Sequence, residues 1–129
     1  MISVDTNIII RLLTGDDKSQ FEKAKALFSN ENIYITTTVI LECEWVLRYA
    51  YQFKQSEITN AFQSLFGLAN VQLENPITIS IAIDWYKNGM DFADAIHLSQ
   101  SQDSEAFVTF DKKLIKSALK NTTLPVYEP

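Results

Sequence analysis

The stretch VDTNIII, residues 4–10, places an aspartate inside an apolar run that otherwise predicts a buried strand leading into a buried helix. A carboxylate is rarely buried unless it is paired or coordinates a metal, because removing its water is costly. Asp5 is therefore expected to have a partner.

Strand and helix patterns alternate from this stretch onward, and no hairpin dipeptide of the Asn-Gly type separates them. This order predicts an α/β protein with a mainly parallel sheet covered by helices on both faces. Ligands of such sheets bind outside the C-terminal ends of the strands. The predicted strands are ISVD (2–5), IYIT (33–36), VQLE (71–74), AFVTF (106–110) and LPVY (124–127). Seven helices are predicted. The first covers residues 8–13, the second follows a cap at Asp16 or Asp17, the third covers about 39–51, and the fourth begins at Ser56. The remaining three are 76 to about 89, FADAIHLSQS (92–101) and DKKLIKSALK (111–120).

Length and composition predict a single domain over residues 1–129. The chain is 47% hydrophobic, enough for a core that folds without disulfides, and its only cysteine, Cys43, is expected to be a reduced core residue. No apolar run approaches the length of a membrane span, so a soluble, cytoplasmic protein without membrane contact is expected. The net charge of −5 argues against a surface devoted to nucleic acid.

Acidic residues recur where the predicted strands end. Asp5 and Asp111 each follow a strand, although each is equally suited to cap the next helix. Asp91 and Asp94 are three apart, so they share one helix face, and Asp91 is more typical of a cap.

Glu42 lies within a strongly apolar helical segment. At about 100° per residue, Glu44 and Arg48 are predicted to form a narrow solvent face, and Glu42 to lie on the opposite, buried side. Trp45 and Tyr49 are then predicted to be core or dimer residues. A buried carboxylate needs a reason, which favours a functional role for Glu42.

Carboxylates gathered at one sheet edge repel one another unless a cation holds them. Oxygen-only ligands suit Mg²⁺ or Mn²⁺, which predicts phosphodiester hydrolysis by a metal-activated water. Zinc is disfavoured because the chain has one His and one Cys. His97 is expected to be structural or to support the site, since no G-x-S-x-G motif accompanies it.

Four motifs in order, VDTN, VILECEWVLR, DFADAIHLS and VTFD, resemble the PIN-domain nucleases, and specifically the VapC-type toxin ribonucleases. The resemblance implies a three-layer α/β/α sandwich, a homodimer, a VapB-like antitoxin and an RNA substrate such as tRNA or rRNA. It also implies an acidic site around one or two Mg²⁺ or Mn²⁺ ions, with Thr109 helping to orient it. The catalytic and metal-binding residues would be Asp5, Glu42, Asp94 and Asp111.

The RNA path is less well marked in the sequence. Arg11, Lys112 and Lys113 are the candidate RNA-binding residues, although a lysine-rich helix is also typical of a solvated face. Two alternatives stay open: a catalytically silent PIN-like module that binds RNA or protein, and a haloacid-dehalogenase-like phosphohydrolase. The latter family has a second Asp two residues after the first, where this chain has Asn7. A response-regulator receiver domain is a weaker rival, and neither phosphohydrolase nor receiver assigns a role to Glu42.

Overall fold

Strands and helices alternate along the whole chain, as the sequence predicts. The structure, a computed structural model, describes residues 1–129. The elements are β1 (Ile2–Ser3), α1 (Thr6–Thr14), α2 (Lys18–Asn30), β2 (Ile33–Ile35), α3 (Thr37–Tyr49), α4 (Gln55–Phe66), β3 (Val71–Leu73), α5 (Pro76–Lys87), α6 (Phe92–Ser99), β4 (Phe107–Val108), α7 (Lys112–Asn121) and β5 (Val126–Tyr127).

The first of two compact units, Met1–Pro76, contains a parallel sheet in the order β1-β2-β3. Ile2 pairs with Ile33, and Ile35 with Leu73. Ile33 and Ile35 of the central strand are fully buried. In this unit α1 packs against α2 and α3, and α3 packs against α4.

The second unit, Ile77–Pro129, pairs β4 with β5, also in parallel. Phe107 is opposite Val126, and the Thr109 amide donates to the Tyr127 carbonyl at 3.1 Å. The interior of this unit is apolar, and Phe92 and Leu98 of α6 are completely buried. The prediction of one domain over residues 1–129 stays a prediction.

The α/β class with parallel strands is confirmed, with seven helices and every strand pair parallel. The five strands pair as a three-stranded and a two-stranded sheet. The prediction of AFVTF as a buried strand is wrong in extent and burial. Only Phe107 and Val108 belong to β4, and Val108 is 49% exposed.

Two local details refine the helix boundaries. α1 begins at Thr6, earlier than predicted, because Asp5 caps it. α3 begins at Thr37, where the Glu74 carboxylate accepts a 2.9 Å hydrogen bond from the Thr37 amide. The side chain of Thr36, at the cap position, makes no capping bond. A glutamate distant in sequence thus takes the capping role that the threonines were expected to fill.

Cys43 is a buried free thiol, as predicted. No helix of the chain is both long enough and apolar enough to cross a bilayer.

Candidate active site

Asp5 follows β1 and caps α1. Its Oδ1 accepts a 3.2 Å hydrogen bond from the Ile8 amide, and the residue is exposed. The expectation of a buried Asp5 is therefore wrong, because the chain turns into α1 directly after the buried Val4. The carboxylate lies at the C-terminal end of a parallel strand, which is where ligands of α/β proteins bind.

Glu42 is joined to this region by a side-chain hydrogen bond that the sequence does not predict. The Thr6 hydroxyl donates to Glu42 Oε1, linking α1 to α3. Thr6 is only 6% exposed, so its hydroxyl is held in place by packing. The one available signal was the position of Thr6, directly after Asp5 in VDTN. A bond across 36 positions is not readable from local pattern.

The predicted faces of α3 are reversed. Glu44 is 1% exposed, whereas Glu42 is exposed. Arg48 makes two hydrogen bonds to the Glu44 carboxylate, from Nε at 2.7 Å and from Nη2 at 3.2 Å. A guanidinium one turn away is what allows a carboxylate on the inner face.

Trp45 and Tyr49 are 56% and 60% exposed, which rules out the core interpretation and leaves the dimer interpretation untested. Both lie on the exposed side of α3, the side that carries Glu42.

Asp5 and Glu42 act on the same buried group. Burial raises the pKa of Cys43 to about 12, and the charges of Glu42 and then Asp5 contribute to the increase. The hydrogen bond with Thr6 acts in the opposite direction. Both carboxylates therefore place negative charge near Cys43.

In the second unit, two of the predicted acids cap helices. Asp111 caps α7 by accepting a 3.0 Å bond from the Leu114 amide. The Thr109 hydroxyl accepts from the Asp111 amide at 3.1 Å, so Thr109 fixes the backbone at this carboxylate. Asp91 caps α6 by accepting from the Asp94 amide at 3.1 Å.

Asp91, Asp94 and Asp111 line one cavity of about 260 Å³. Burial raises the pKa of Asp94, and the charges of Asp91 and Asp111 raise it further, while His97 opposes the increase. The remaining lining residues are Gly89, Met90, Lys113, Leu114 and Ser117. Three carboxylates and one lysine are therefore among the residues that line this cavity.

The candidate RNA-binding residues differ in their contacts. Lys112 and Lys113 are exposed at the start of α7. Arg11 bonds Gln20 at 2.6 Å, Tyr51 at 3.0 Å and Asp16 at 3.3 Å. These contacts occupy the Arg11 guanidinium within its own unit, so Lys112 and Lys113 are the better placed for phosphate.

The donor chemistry fits a hard divalent cation, since the side chains concerned are carboxylates and hydroxyls. No group of three or more His, Cys, Asp or Glu side chains is arranged so that it could hold a metal ion. Mg²⁺ needs no such group, because it typically binds one or two carboxylates and takes its other ligands from water and substrate phosphates. The residues present therefore fit such an ion as partial ligand sets.

Carboxylates near the C-terminal ends of parallel strands lie where α/β proteins bind ligands, and such groups can hold a metal ion that acts on phosphates. The family comparison is more specific: the PIN domain profile matches residues 2–119. The chain therefore belongs to the PIN-domain family, whose members are generally metal-dependent nucleases. This membership removes the haloacid-dehalogenase alternative. No curated protein matches the chain.

Proposed function

We propose that this PIN domain is a metal-dependent endoribonuclease that hydrolyses RNA phosphodiester bonds and acts as the toxin of a toxin–antitoxin pair. The observation that carries the proposal is the cavity in which Asp94 faces Asp91 and Asp111. Close carboxylates raise the free energy of the protein when no ion is bound. A bound cation removes this cost, so such a cluster is typical of a cation site.

In this proposal Asp5 and Glu42 of the first unit, and Asp94 and Asp111 of the second unit, are ligands for Mg²⁺ or Mn²⁺. A bound ion would lower the pKa of a water molecule and neutralise charge on the scissile phosphate. The protein's own groups prepare the ligands: Thr6 orients Glu42 through its hydroxyl, and Thr109 fixes the backbone of Asp111. Asp91 positions the start of α6, and with it Asp94.

The binding partners follow from the resemblance to VapC-type toxins. The proposed substrate is a cytoplasmic tRNA or rRNA, with Lys112 and Lys113 contacting its phosphates. The proposed regulator is a VapB-like antitoxin, and the proposed assembly is a homodimer. Because the net charge of the protein is −5, RNA binding has to depend on local groups of lysines and not on the charge of the whole protein.

The test is RNA cleavage by the purified protein with Mg²⁺, Mn²⁺ or EDTA, using total tRNA and rRNA. Asp94→Asn is expected to lower cleavage at least about 100-fold, the order of loss typical when one transition-state stabilising group is removed. Asp84→Asn is the matched control, because Asp84 is an exposed aspartate of α5 outside the cavity. It should cleave like the wild type.

Cleavage that requires metal and disappears only in the Asp94 variant supports the proposal. Equal cleavage by both variants would refute the assignment of Asp94. RNA that is bound but never cut with any metal would identify the silent binding module instead.

A further inference from the structure

An exposed aromatic pair lies on the same face of α3 as Glu42. At about 100° per residue, Glu42, Trp45 and Tyr49 fall within roughly 60° of one another around the helix axis. Exposure agrees with this geometry, since Glu42 is exposed and the two aromatic residues are 56% and 60% exposed. Two large aromatic side chains exposed side by side on one helix face form a contiguous apolar patch, which is a candidate contact surface.

The two rings form a defined surface. Their centroids are 5.3 Å apart and their planes are inclined by 50°. The Arg48 guanidinium lies 4.5 Å from the centre of the Tyr49 ring, and Glu44 holds that guanidinium in place. Tyr49 is therefore supported on one side by a fixed cation, which limits the entropy lost when a ligand packs on the pair.

We propose that Trp45 and Tyr49 are a stacking platform for unpaired bases of the RNA substrate, on the face of α3 that carries Glu42. This inference rests on the proposed function, because it takes RNA as the ligand. The bases that stack here belong to nucleotides near the scissile phosphate, so the platform selects single-stranded or loop RNA. Trp45 and Tyr49 are positioning residues in this scheme.

The spacing fits a nucleotide chain. With a rise of about 1.5 Å per residue, Trp45 lies about 4.5 Å and Tyr49 about 10.5 Å beyond Glu42 along the helix axis. Successive stacked nucleotides are about 3.4 Å apart, and the two ring centroids are 5.3 Å apart, so the pair has the dimension of one to two nucleotide steps. Aromatic stacking is also how proteins bind single-stranded nucleic acid without reading a particular sequence.

The size of the surface favours bases over a protein partner. At just over half exposure, the two rings offer roughly 200–250 Å² between them. A stable protein interface buries about 800 Å² on each partner. The other exposed large apolar residues of this unit are Met1, Ile2 and Leu68, and none of them is on α3. Two rings are sufficient for two bases and small for a dimer core.

Trp45 supplies its own reporter. The only other tryptophan, Trp85, is 7% exposed, so a base that stacks on the surface quenches mainly Trp45 fluorescence. The experiment titrates wild-type protein with a short unstructured RNA oligonucleotide in EDTA at low salt, where the proposed cleavage cannot proceed. Binding is followed in parallel by fluorescence anisotropy of labelled RNA. Oligomeric state is measured for every variant by analytical ultracentrifugation.

The expected results are quenching in the wild type and RNA binding about 5- to 150-fold weaker in Trp45→Ala, the range for one lost base stack. Trp45→Phe should bind within a few-fold of wild type, because phenyl retains the stacking face. Tyr127→Ala is the matched control, since Tyr127 is a 51% exposed aromatic on β5. It should bind like the wild type, and circular dichroism should show all variants folded.

Unchanged RNA affinity in Trp45→Ala would overturn the inference. A change from dimer to monomer in Trp45→Ala would also overturn it, because this face would then be a contact between two copies. Neither result touches the proposed function, because cleavage with metal is measured separately. Conversely, quenching in a protein that cuts no RNA would refute the nuclease proposal and keep the platform.

Discussion

Replacing Arg48 with methionine is expected to destabilise the protein more than any ordinary surface substitution. Glu44, which Arg48 contacts, has a side chain only 2% exposed, while the Arg48 side chain is 36% exposed. The hydrogen bond with Glu44 is the main cause that raises the pKa of Arg48, so the guanidinium remains charged at any practical pH. Arg48→Met keeps the apolar stem and removes the charge that faces the buried carboxylate.

The magnitude follows from the burial of the two partners. Removing one partner of a fully buried ion pair costs about 3–5 kcal/mol, whereas an exposed pair contributes about 0.2–1 kcal/mol. One partner here is buried and the other is partly exposed, so we expect a loss of about 2–3 kcal/mol. The lost contact of Arg48 with the Tyr49 ring is included in this value.

Urea unfolding followed by circular dichroism measures the change, with the denaturant slope compared to ensure that the unfolded state is unaltered. Thermal unfolding should show a decrease of roughly 10 °C. Lys25→Met is the control, because Lys25 also lies over an aromatic ring, Phe21 at 6.0 Å, but on an exposed surface. It should change stability by less than about 0.5 kcal/mol.

A double variant, Glu44→Leu with Arg48→Met, should recover most of the loss, since apolar replacements of a buried pair are often neutral or stabilising. A cost for Arg48→Met below about 1 kcal/mol, the range of exposed pairs, would refute the reasoning. It would mean that the Glu44 carboxylate does not depend on the guanidinium.

Three further outcomes are expected. Asp94→Asn in EDTA should stabilise the protein by up to about 1 kcal/mol at pH 7. The folded-state pKa of Asp94 is raised, so the wild-type protein regains stability as the pH falls through that pKa. Thermal unfolding should therefore show that the stability advantage of Asp94→Asn becomes smaller at lower pH. An advantage that does not depend on pH contradicts the electrostatic cause. Burial raises the pKa of Cys43 to about 12, so iodoacetamide at pH 8 should label native protein at least about 100-fold more slowly than urea-unfolded protein; equal rates contradict the assignment. Glu74→Ala removes the acceptor of the Thr37 amide and should cost about 1 kcal/mol in urea unfolding; an unchanged midpoint would show that this cap contributes nothing.

Helix starts were predictable where the capping group is local. Asp17 caps α2 by accepting from the Gln20 amide, and Asp111 caps α7 three residues before Leu114. Such bonds involve neighbours in sequence, so residue type and spacing are enough. The start of α3 was not predictable to the residue, because its cap comes from Glu74, far along the chain.

The features of the candidate site were likewise predictable only where they depend on local sequence. Asp5 and Asp111 could be placed at strand ends from the order of strand and helix patterns alone. The bond between Thr6 and Glu42 could not be, because it depends on how α1 and α3 pack in the first unit. Burial of individual strand residues also depends on packing, which is why Val108 is exposed against expectation.

The argument from burial that pointed to Glu42 rested on an incorrect assignment of the faces of α3. The prediction held that a carboxylate on the inner face must be functional, and it assigned that face to Glu42. The inner carboxylate is Glu44, and Arg48 one turn later accounts for it structurally. Glu42 is a candidate for the opposite reason: it is exposed, oriented by the buried Thr6 hydroxyl, and contributes charge at the end of β1 together with Asp5. The role of Glu42 as a metal ligand stays a prediction, and its exposure leaves the carboxylate accessible to an ion from solvent.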